Sequence, residues 1–144
     1  DEMALQQSQE LFAATMVERV VMGIDEHDRL IAHVLGLSHA LNIAFVTALT
    51  QSGEAAPRLA QLSSTTFDAQ LSVARTVVEE SPEVFFEIQS LNEHGLESLH
   101  ALSRAVASVV ELVSARDARG FAALMGAGKA YFEGRSASKG GWAP

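Results

Sequence analysis

Histidine is the residue in this chain best placed to do chemistry, and there are five: His27, His33, His39, His94 and His100. His27 sits between Glu26 and Asp28, at what reads as a helix start. A site residue at a domain edge and a solvated first-turn residue both suit that place. His39 lies in mid-helix near Leu37 and Leu41, where a satisfied core histidine is commoner than a ligand. His33 is six residues from each, a rotation of about 240° on an ideal helix, so it faces elsewhere. Glu26, His27, Asp28 and His33 are good metal-ligand types, but adjacent helical residues point apart and no HExxH occurs, so no metal is expected. Arg29, Arg75 and Arg104 could each meet a carboxylate ligand, and each could equally be a solvated arginine or pair with a neighbour such as Glu79. With no GxSxG, no GxGxxG and no cysteine, nucleophile elbows, dinucleotide loops, thiolate metal sites and disulfides are absent from the sequence. Gly134, Gly140 and Gly141 lie in a tail with no helix after them and form no phosphate loop.

These side chains must be carried by helices. Residues 3–14 read as helical from Ala, Leu, Gln and Glu content, while 17–22, VERVVM, read as a short strand. Asp25 is placed to cap a long helix over about 26–51, with Asp25, Glu26 and Asp28 at its positive end and Gly53 as its stop. Its apolar positions, from Leu30 and Ile31 through Leu49, are too widely spread for one wet face and call for burial in a bundle or at a dimer seam. A short helix near 57–62, caps among Ser63 to Thr66, and a helix over 66–80 follow. Ser81-Pro82-Glu83 opens a second long helix, 82–114, with Gly95 a point of bending or close packing. Asp117 caps a last helix, 118–132, and 134–144 is a frayed Gly- and Ser-rich tail. The expected fold is an all-α helical bundle built on two long antiparallel helices. A lone strand needs a sheet to join, so residues 1–24 read as the end of a preceding α/β domain or a linker; 25–133 is the helical domain proper. The first residue is Asp rather than Met, which fits an excised or processed piece.

Composition sets the outer limits. At 144 residues, with 48% apolar and 19% charged residues, the chain suits one globular domain. A net charge of −8 disfavours a general nucleic-acid binder. The apolar stretches are broken by Arg, His, Ser or Glu, so no membrane span is expected, and the acidic N-terminus is no signal peptide. The absence of cysteine fits a reducing compartment such as the cytoplasm.

Three blocks carry a resemblance: DEHDRLIAHVLGLSHALNIAF at 25–45, LSSTTF at 62–67 and ESPEVFFEIQSLN at 80–92. In order and spacing they resemble the helical C-terminal domain of the prephenate dehydrogenases, including its His-Asp pair, here His27-Asp28, and a histidine twelve residues on, here His39. The resemblance implies an intertwined homodimer and oxidative decarboxylation of prephenate or arogenate on the way to tyrosine, which can inhibit. Hydride would pass to NAD or NADP held by a preceding nucleotide-binding domain, of which residues 1–22 would be the last helix and strand. It implies that His39 lies in the substrate cleft and His27 at the domain junction, and that no catalytic residue lies on this chain. One departure stands out. Many members place a substrate-binding arginine where this chain has Thr76, and some place another at Asp68. Arg75 is one residue away from the first, a 100° turn on a helix, so a helix shift would be needed for it to serve. The alternative is a helical homodimerisation module without catalysis.

Overall fold

The computed structural model of the chain describes residues 2–15 and 19–138, with side chains through 134. Its order is α1 (Glu2–Leu11), α2 (Ile24–Ile31), a π-helical turn (Ala32–Leu37), α3 (Ser38–Gln51), α4 (Ala56–Ala60), α5 (Thr65–Glu79), α6 (Pro82–Ser90), α7 (Gly95–Ser114) and α8 (Ala118–Ser138). α2, the π turn and α3 run on without a break as a rod of 28 residues, Ile24–Gln51, ended by Gly53 at φ 74°. Only glycine enters that left-handed region at no steric cost, which is why the rod stops there.

The rod is the centre of the fold. α3 packs along α5, and the π turn packs against α6 and α7. Small residues make the second crossing close: Ala32 and Gly36 on the rod, Gly95 and Ser98 on α7, all buried. The α3–α5 crossing is closed by Ala74 and Val77, by the edge-on rings of Phe45 and Phe67 at 6.1 Å, and by Gln70, which donates to Asn42 Oδ1 at 2.7 Å. By length and mean hydropathy, 1.6 over its most apolar stretch, the rod could also cross a membrane. The sequence expectation of no such window is corrected on that point. Within the fold, buried Asn42, bonded to Ser38 and Gln70, ties the rod to α5.

Three boundaries differ from expectation. The second long helix is two, because residues 91–94 form a turn between α6 and α7. At this turn a Cβ at Gly95 would stand 2.6 Å from the Gln89 carbonyl oxygen, so the chain can fold back this closely only with glycine there. α8 runs on to Ser138, past the expected fraying point at 134, while 139–144 lie outside the described residues. No strand occurs among the described residues: 19–22 carry no regular structure and have no partner strand to pair with, and 17 and 18 of the expected strand lie outside them.

The caps follow local chemistry. Asp117 accepts from the Gly120 amide at 2.9 Å and opens α8, as its position suggested. Ser64 accepts from Phe67 N and opens α5. Asp25 is not the cap of α2; Gly23 takes that place and Asp25 lies in the first turn. The Ser81 hydroxyl donates to Glu83 at 2.7 Å rather than capping, which holds the Glu83 carboxyl below its usual range.

Candidate functional site

His39 projects from the first turn of α3 onto α6. Its ring meets Phe85 edge-on, with centroids 4.4 Å apart and planes at 64°. Its Nδ1 is buried and has no hydrogen-bond partner. Burial disfavours the charged imidazolium and lowers the pKa of His39, so the ring is neutral at pH 7. With Nδ1 enclosed, Nε2 is the nitrogen left to meet a ligand.

Beside it, Gln89 reaches back across the crossing. Its Nε2 donates to the Gly36 carbonyl at 2.8 Å, and its Oε1 is buried without a partner. Asn92 Nδ2 donates to the Asp28 carbonyl at 2.7 Å, and Ser98 Oγ donates to the Ala32 carbonyl at 3.0 Å. Sequence reasoning passed over these three. The signal was there: Gln89 and Asn92 lie four and seven residues after Phe85, polar groups on the face that also carries Phe85 and Ile88.

His27 sits in the first turn of α2, half-exposed, with Nδ1 2.9 Å from Asp28 Oδ1. It lines a groove of about 730 Å³ between α1 and the start of the rod, with Leu5, Phe12, Arg19, Val20 and Ile24 among its walls. Arg19 is fixed there by donating to the Gln9 carbonyl. Nearby, His94 Nε2 lies 3.1 Å from Asp25 Oδ1 and ties the α6–α7 turn to the head of the rod. Roughly 18 Å of helical rise separates His27 from His39, so the two do not share one small pocket.

Arg75 is on α5, exposed, with Nε 2.6 Å from Glu79 Oε1. That hydrogen bond, with the carboxylate charge, holds the guanidinium more firmly protonated. No hydrogen bond or ion pair joins it to His39 among the described residues. Thr76 donates to the Ser72 carbonyl, and Asp68 stands in the first turn of α5. His33 is exposed and bonded to the Arg29 carbonyl at 2.9 Å, away from His39 as its spacing required. No group of three or more His, Asp or Glu that could hold a metal occurs among the described residues.

The family described as prephenate dehydrogenase, dimerization domain, matches residues 24–127. The chain belongs to that family. The match begins at the head of the rod and ends within α8, so it takes in His27, His39, the π turn and the whole α6–α7 arm. It leaves α1 outside. No curated protein and no solved structure matches the chain. The prephenate dehydrogenase resemblance of the three sequence blocks is thus upheld.

Proposed function

We propose that this chain is the dimer-forming and ligand-cleft part of a prephenate or arogenate dehydrogenase. The observation that carries the proposal is the family match over 24–127; His39, which the sequence resemblance sets in the cleft, is kept neutral by burial. The reaction oxidises a ring carbinol while the ring carboxylate leaves as carbon dioxide and the ring becomes aromatic. NAD or NADP, held by a domain outside this chain, would accept the hydride. The work of this chain is binding and positioning. His39 Nε2 hydrogen-bonds the ligand in its neutral form, Phe85 fixes the ring edge-on, and His27 stands at the junction with the nucleotide-binding domain, of which residues 1–24 are the end. The catalytic groups lie outside this chain, and no metal takes part.

A ligand with carboxylates needs a cation. Thr76 and Asp68 supply none, and Arg75 is the nearest replacement in sequence, once released from Glu79. The surface area supports the homodimer. The chain exposes 11777 Å², against about 7,200 Å² for a folded monomer of 15.4 kDa. The excess on one chain leaves ample surface for a partner to cover. Residence in the cytoplasm, and tyrosine as an inhibitor, belong to the same proposal.

The test is made on the whole protein that carries this chain, by following nicotinamide reduction with prephenate and with arogenate. His39→Ala weakens substrate or tyrosine binding about 10-fold or more, the effect of one lost hydrogen bond to a charged ligand, and His33→Ala leaves it unchanged. Equal effects of the two variants would remove His39 from the cleft. A dimer that turns over neither substrate would favour the non-catalytic module.

A further inference from the structure

The rod changes its hydrogen-bond register between Ala32 and Leu37. A π turn takes up one residue more than an α turn, so everything after it is rotated by about 100° relative to an unbroken α-helix. On an unbroken helix, the twelve residues from His27 to His39 would set their directions about 120° apart. With one residue absorbed, the same count leaves them about 20° apart. The turn therefore brings both histidines to nearly the same side of the rod.

Such a turn is not self-sufficient. Passing from i→i−4 bonding to i→i−5 and back leaves a carbonyl without an N–H from its own helix. The carbonyls of Asp28, Ala32 and Gly36, spaced four apart, receive outside donors from Asn92, Ser98 and Gln89. All three donors come from the α6–α7 arm. The Asp28 carbonyl also accepts from the Ala32 N–H within the rod, while Ala32, Gly36 and Ser98 are buried at the crossing, where the arm's side chains replace water as donors. His39 itself makes no side-chain hydrogen bond among the described residues, and its direction is set by the backbone beneath it and by Phe85.

We propose that the π turn is a register device that aims His39, and that Gln89, Asn92 and Ser98 are positioning residues that hold it by donating to the three rod carbonyls. The value of the aim rests on the cleft role of His39 proposed above; the hold on the turn does not. Replacing Gln89 by Met keeps its volume and removes the donor, and Ser98→Ala removes the buried hydroxyl.

The measurement is histidine side-chain NMR on the whole labelled protein, with circular dichroism as the check on helicity. In Gln89→Met/Ser98→Ala the His39 ring signals lose the shift imposed by Phe85, while His27 and His100 keep theirs and helicity is unchanged. Each single variant shows a smaller change of the same kind, and Gln89→Met alone carries the test if the pair loses helicity. An unmoved His39 signal in a folded variant overturns the proposal, and so does equal movement of all the histidines. No substrate enters the experiment, so failure of the dehydrogenase reading leaves its outcome intact.

Discussion

His39 is a buried-side imidazole with no acid or base beside it, and that has a consequence for pH. Its pKa is lowered in the folded chain by desolvation, so from about pH 6.5 downward the unfolded chain takes up a proton that the folded one resists. Stability contributed by this group is full above that pH and is lost as pH falls through the folded value. Thermal melts of wild type and His39→Leu at pH 7.5 and pH 5.5 test this: wild type loses more on acidification, and parallel losses would contradict it. At this scale the sequence was legible in part. His39 and His33 were assigned to different faces from spacing alone, and that separation stands in the structure. Gln89, Asn92 and Ser98 were missed because each acts through a rod carbonyl more than fifty residues away in sequence, a partner that no local pattern announces.

At the scale of elements, periodicity placed every helix between Ile24 and Ser114 close to its observed position, because apolar spacing and the Pro, Ser and Gly signals agree there. It failed at two joints. One is the π turn, whose one-residue slip is hidden because the apolar positions of the rod already spread around most of its circumference. The other is the α6–α7 turn: Gly95 reads as a bend or close packing, and the close packing is there, but the helix stops rather than bends. The second can be tested directly. Gly95→Ala puts a methyl 2.6 Å from the Gln89 carbonyl oxygen, a backbone atom that cannot swing aside. The expected cost is about 1–3 kcal/mol from overpacking, seen as a lowered urea midpoint, with the Asn92 and Gln89 bonds to the rod loosened together. A neutral Gly95→Ala would mean that the turn is free to open.

For the whole molecule, the decisive fact is how little one chain covers. Among the buried apolar side chains are Ala32, Ala74 and Val77, while Val106, Val109, Val110 and Val113 form an exposed stripe on α7 at i, i+3, i+4 and i+7 spacing. Phe121, Leu124 and Met125 repeat the pattern on α8. Composition alone promised a core, and the over-wide apolar faces pointed to a second copy, but a sequence cannot say which apolar residues the chain leaves for its partner. The most direct test of the account is sedimentation equilibrium of this chain at micromolar concentration, beside Val110→Glu. The account predicts twice the 15.4 kDa chain mass for wild type, and dissociation with loss of helicity for Val110→Glu, since the charge would be buried in the seam. A stable, folded 15.4 kDa monomer would contradict it.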